Sequence, residues 1–149
     1  MALTSVLIVD EDLDRTASAE ACLLPDHHLR VVGHARTTLV AQEQIRLLHP
    51  EVVVMSRSAA SPPGSPDALG LTRQLKSHPP APVVIVLASD ASRTAREEAA
   101  AAGADALLLE LDISTSLRPL IHLLHGGVPP SAVPARRSLR MKAVANSGR

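Results

Sequence analysis

Glu51-Val52-Val53-Val54-Met55-Ser56 is a short apolar run with polar ends, and it reads as a strand buried on both faces of a parallel sheet. An earlier run of the same kind, Ser5-Val6-Leu7-Ile8-Val9, delivers Asp10 and Glu11 to the same carboxyl edge as Ser56. In open α/β sheets that edge carries the chemistry. Two carboxylates beside an acceptor carboxylate would make a Mg2+ and phosphoryl site. The 51–56 run ends in a serine, so these two strands bring two carboxylates and one hydroxyl to that edge.

Strand-like and helix-like segments alternate on either side of it. A helix over 13–24 has Leu13, Ala17, Ala21 and Leu24 on one face, and Pro25 ends it. A strand over 29–34 follows. The next helix, over 38–48, is apolar at Ala41, Ile45 and Leu48 and stops before Pro50. After Ser56 comes Arg57-Ser58-Ala59-Ala60-Ser61-Pro62-Pro63-Gly64-Ser65-Pro66, a loop by composition, whose 58–66 part reads as a disordered insertion. A helix over 67–77 has Asp67 or Ser65 as its cap. A strand over 82–88 leads to a helix over 91–102, with Ser89 and Asp90 as capping residues and Gly103 closing it. A strand over 106–109 and a helix over 114–124 complete the series. Five such units predict an α/β fold, a five-stranded parallel sheet with helices on both faces and right-handed crossovers, of the (βα)5 flavodoxin-like kind. The folded domain spans 1–125; residues 126–149 read as a Pro-rich, then basic, loosely ordered tail.

The chain of 149 residues has no Phe, Tyr or Trp. Base-stacking platforms for single-stranded nucleic acid and aromatic interface anchors are therefore excluded. Formal net charge is zero, but Arg136, Arg137, Arg140, Lys142 and Arg149 fall in the last fourteen residues with no acid among them. Setting those five aside leaves ten basic against fifteen acidic residues, so residues 1–135 carry about −5. Cys22 is the one cysteine, so no internal disulfide or thiolate zinc cluster forms. No stretch is long and apolar enough to span a membrane and no signal peptide is evident, so a cytoplasmic location is expected.

Taken in order, several segments resemble the receiver domain of bacterial two-component response regulators, over about residues 4–125. They are Val6-Leu7-Ile8-Val9-Asp10-Glu11, His49-Pro50-Glu51-Val52-Val53-Val54-Met55, Pro82-Val83-Val84-Ile85-Val86-Leu87-Ala88, Ala101-Ala102-Gly103-Ala104-Asp105-Ala106 and Leu111-Asp112. The segment from Gly126 to Arg137 resembles the linker of NarL/LuxR-type regulators, which joins the receiver to a helix-turn-helix effector. The chain is expected either to stand alone or to be cut before such an effector.

The resemblance implies a phosphoryl group taken on an aspartate, Mg2+ held by an acidic pair, a Thr or Ser on strand 4, and a Lys and an aromatic residue on strand 5. Carried over, it keeps Asp10 and Glu11, but places Ser56 at the acceptor, Ala88 at the hydroxyl, Glu110 at the lysine and Leu107 at the aromatic position. A serine hydroxyl without a nearby base does not replace an ionised carboxylate nucleophile. Glu110 puts a negative charge where an incoming dianion needs a cation. Asp10, Glu11 and Glu110 then share one rim, with three readings open. Asp10 and Glu11 hold a divalent cation weakly; Arg57 folds back as an internal counter-ion; or the rim is simply solvated.

The leading functional reading is a non-enzymatic pseudo-receiver without a cofactor, acting in signalling or transcriptional regulation through protein contacts. The family's surfaces for a homodimer or a docked partner are helix 4, strand 5 and helix 5, or helices 1 and 5. DNA would be reached only through an effector domain outside this chain. The alternative is a ligand-sensing module in which the vacated phosphorylation pocket takes a small cationic or hydroxyl-rich molecule. A flavin-binding enzyme is disfavoured, because the loop Asp10-Glu11-Asp12-Leu13-Asp14 is acidic, lacks glycine and repels phosphate. His122 and His125, three apart on the last helix, and His27-His28 in a turn read as ordinary surface histidines. Asp14 and Arg15 read as solvent-facing.

Overall fold

The computed structural model describes residues 3–126. The expected basic tail beyond them, and the linker reading placed on it, lie outside the described residues. Five strands, β1 (Thr4–Val9), β2 (Leu29–Ala35), β3 (Val52–Ser56), β4 (Val83–Ala88) and β5 (Ala106–Leu109), form one parallel sheet in the order β2-β1-β3-β4-β5. The helices between them are α1 (Leu13–Leu23), α2 (Thr38–Leu48), α3 (Ala68–Lys76) and α4 (Arg93–Ala102), and α5 (Ile113–Ile121) follows β5. The expected fold class is the observed one.

The central strands are continuous apolar runs because helices cover both faces. All five residues of β3 are buried. Leu7, Val9, Val53, Met55, Val84, Val86 and Leu107 face a core closed by α2, α3 and α4. Val6, Ile8, Val52, Val54, Ile85 and Leu108 face Ala19 and Leu23 of α1 and Ile113, Leu117, Leu120 and Ile121 of α5. Each large aliphatic side chain so buried stabilises by roughly 1.5–3 kcal/mol. Two layers of this kind supply a core without one aromatic ring.

Helix starts follow local chemistry. Asp12, Thr37, Asp67 and Ser92 each accept a backbone N–H of the first turn through the side chain. Ser92, rather than Ser89 or Asp90, caps α4; Asp90 instead accepts the Ser92 N–H. Gly103 closes α4 in the left-handed region, at φ +96°. The last helix starts earlier and ends earlier than expected: a 3-10 turn, Glu110–Asp112, runs into α5, and a π-type turn, His122–Gly126, follows it.

Two further expectations are corrected. The stripe Leu13, Ala17, Ala21 and Leu24 is not the buried face of α1; all four are exposed, Leu13 at 62% and Leu24 at 78%. Thr16, Ala19 and Leu23 point inward. Thr16 does so because its hydroxyl donates to the Asp12 carbonyl at 3.1 Å, leaving its methyl to pack. The 58–66 loop is not a free insertion. Thr37 pairs with Ala60 in a parallel bridge, the Thr38 N–H donates to the Ala60 carbonyl, and the Thr38 hydroxyl donates to the Pro66 carbonyl at 2.6 Å. The loop is thereby fastened to the start of α2.

Candidate functional site at the carboxyl edge of the sheet

Asp10 is the first residue beyond β1, and its N–H donates to the Ala35 carbonyl of β2. Its side chain is wholly buried. Oδ1 accepts the Asp12 N–H at 2.9 Å, which turns the chain into α1. Arg15 lies in the first turn of that helix. Helical side chains lean toward the N-terminus, so the Arg15 guanidinium folds back over the turn. Nε donates to Asp10 Oδ2 at 2.8 Å and Nη2 to Asp10 Oδ1 at 2.9 Å, a two-pronged charge-assisted pair. Nη1 stands 3.4 Å from Asp12 Oδ2 and 3.5 Å from Glu110 Oε1.

One guanidinium thus gathers the end of β1, the cap of α1 and the turn after β5. The hydrogen bond to Asp10, working against burial, raises the Arg15 pKa above its ordinary value, with the Asp10, Glu110 and Asp12 charges adding to it. The Arg15 N–H in turn holds the Asp12 carboxyl below its usual range. Three carboxylates around one cation leave the rim net negative.

The remaining sequence-derived positions fall around this cluster. Ser56 ends β3 with no exposed surface; its hydroxyl lies 2.9 Å from that of Ser58 and accepts the Ser58 N–H at 3.1 Å. Ala88 ends β4 and is buried, and Leu107 of β5 is buried in the core under α4. Glu110 reaches the rim through Arg15. Glu11 points outward and takes no part in these contacts.

Arg57 does not fold back over the acids. Its Nη2 pairs with Glu98 of α4 at 3.5 Å, with 42% and 53% of the two side chains exposed. The counter-ion role expected of Arg57 is taken by Arg15, which is partly buried and turned onto the acids rather than fully solvent-facing. A divalent ion on Asp10 would compete with that guanidinium for the carboxylate. Among the described residues no cluster of three His, Cys, Asp or Glu has metal-binding geometry.

Sequence reasoning missed Arg15. A signal was present: it is the only Lys or Arg before Arg30, set one residue beyond an acidic run from Asp10 to Asp14. A lone cation there lies within reach of the strand-end carboxylate.

His122 and His125 lie at the opposite edge. His122 Nε2 meets Asp26 Oδ2 at 2.6 Å, and His125 lies 3.6 Å from Glu51. A cavity of about 270 Å3 opens there, lined by Ile45, His49, Pro50, Glu51, Pro82 and His125 among others, and it touches none of the rim residues.

No family model matches the chain, and no curated protein sequence does. Solved structures do. The chain is similar to the RcsB response regulator of Salmonella typhimurium, with TM-score 0.75 and 19% identity over 89% of this chain and 64% of that one. It is similar to the signal receiver domain of the putative response regulator NarL from Mycobacterium tuberculosis, with TM-score 0.71 and 18% identity over 85% of this chain and 99% of that one. A structure of two RcsB dimers bound to two parallel DNAs matches with TM-score 0.73 and 19% identity, over 87% of this chain and 65% of that one. The chain spans less than two thirds of those two longer RcsB chains. At this identity the likeness establishes the receiver fold. No described helix is long and apolar enough to cross a membrane.

Proposed function

We propose that this chain is a receiver-like regulatory domain that works through protein contacts and not through aspartyl phosphate. The observation that carries the reading is the Arg15–Asp10 pair. A cation of the chain's own already satisfies the carboxylate that a receiver would use for Mg2+. The hydroxyl at the acceptor position adds support, being buried and engaged with Ser58. Glu110 supports it further, since the rim stays negative after Arg15 is counted.

The partner the surface favours is a second copy. The outer stripe of α1, Leu13, Ala17, Ala21 and Leu24, is apolar and exposed, and its small central residues permit close approach of another helix. Asp14 and Glu20 flank it on α1, and half-exposed Arg118 lies on neighbouring α5. An isologous pairing of α1 and α5 would set acid against base twice. The RcsB structure of dimers on DNA is compatible with such a role, and any DNA contact or transcriptional output would need a further domain.

Incubation with acetyl phosphate and Mg2+, followed by intact-mass measurement and size-exclusion chromatography, tests the proposal. No phosphoryl adduct and an unchanged dimer fraction are expected, with the dimer weakened by Leu24→Glu. A saturable adduct that shifts the dimer fraction would overturn it.

A further inference from the structure

Helix α5 is fastened to α1 at both ends. At the carboxyl edge, Arg15 on α1 reaches Glu110, which opens the 3-10 turn leading into α5. At the other edge, Asp26, in the loop after α1, accepts from His122 Nε2 at 2.6 Å and faces Arg118 Nη1 at 3.5 Å. Its other oxygen accepts the His28 N–H at 2.8 Å, which fixes the carboxylate in its loop. Its side chain is almost fully buried. Between these ends the two helices share one core through Ala19, Leu23, Ile113, Leu117, Leu120 and Ile121. Cys22 Sγ meets the Ile113 carbonyl at 3.7 Å along the same seam.

From these contacts we infer that the α1–α5 pair is a strut that couples the acidic rim to the π-type turn His122–Gly126 at the opposite edge of the sheet. The π-type turn His122–Gly126 is the last described element, and both of its histidines are anchored, His122 to Asp26 and His125 to Glu51 and Thr4. A helix of nine residues spans roughly 13 Å and, packed along its length, moves as a body. Loosening the turn at Glu110 that leads into it therefore loosens its last turn, and thermodynamic reciprocity requires the converse. The strut holds whether or not the rim ever takes a phosphoryl group.

Amide hydrogen exchange on the full chain, without any phosphodonor, tests it. Arg15→Gln should speed exchange at residues 122–126 several-fold more than at Val53 and Val54 of β3, which report global opening. Asp26→Asn should in turn speed exchange at residues 110–113. The double variant should show less than the product of the single effects. Arg57→Gln, which touches neither clamp, should leave both ends unchanged. Where Arg15→Gln does not fold, Asp26→Asn alone decides the matter. Faster exchange confined to the mutated end, or multiplicative effects in the double variant, would overturn the strut.

Discussion

Replacing Arg15 by Met keeps much of the aliphatic stem and removes the guanidinium. Asp10 would then keep one hydrogen bond, from the Asp12 N–H, for a carboxylate with no exposed surface. Removing one partner from a buried ion pair costs about 3–5 kcal/mol, because the other charge is left uncompensated. Arg15 is 23% exposed, so water reaches part of the opened site and the cost falls to about 2–3 kcal/mol. For a domain of this size that lowers Tm by roughly 6–15 °C. Far-UV circular dichroism is the natural probe, since the chain has no Trp or Tyr to fluoresce. Arg57→Met is the matched control. Its contact with Glu98 is long and solvated, so its effect stays within about 0.5 kcal/mol. Adding Asp10→Asn to Arg15→Met should cost less than the sum of the two single losses. If Arg15→Met and Arg57→Met melt together, the guanidinium does not hold the rim and the reasoning fails.

Burial works to raise the Asp26 carboxyl, but hydrogen bonds from His122 and the His28 N–H, with Arg118, more than offset it and hold the pKa below the ordinary 3.8. A depressed folded value means the stabilisation is present in full above 3.8 and is lost as pH falls through the lower folded value. Urea midpoints should therefore fall as the pH is lowered below about 3.8, and less steeply in Asp26→Asn. Gly103→Ala places a Cβ 3.1 Å from Lys76 Cγ at a φ of +96°, and should cost about 1–2 kcal/mol in thermal unfolding. Thr38→Val removes the hydroxyl that holds the Pro66 carbonyl. It should cost about 1 kcal/mol and speed proteolytic cleavage within 58–66.

Much of the fold was legible because the signals were local. β4 and β5 are unbroken apolar runs and β3 is one up to Ser56, and Asp67 and Gly103 mark a helix start and a helix end by their own chemistry. What failed was choice between faces. On α1 the Leu13 stripe looks more apolar than Thr16, Ala19 and Leu23, yet the second stripe is buried because Thr16 hides its hydroxyl in the backbone. The loop at 58–66 was misread because its anchors, Thr37 and Thr38, lie more than twenty residues upstream and show no pattern with it. At the rim, the carboxylates of Asp10 and Glu110 were legible as a shared charge problem. Its solution by Arg15 depended on helix geometry that turns one cation back onto Asp10, while Arg57 faces α4.

The most direct test watches Arg15 itself. Its Nε–H signal, read by 15N NMR, should be protected from solvent by the bond to Asp10. It should keep its position when Mg2+ and beryllofluoride are added to excess. A saturable shift or loss of that signal, tracking the added ions, would show Asp10 exchanging its guanidinium for a metal and would contradict the account.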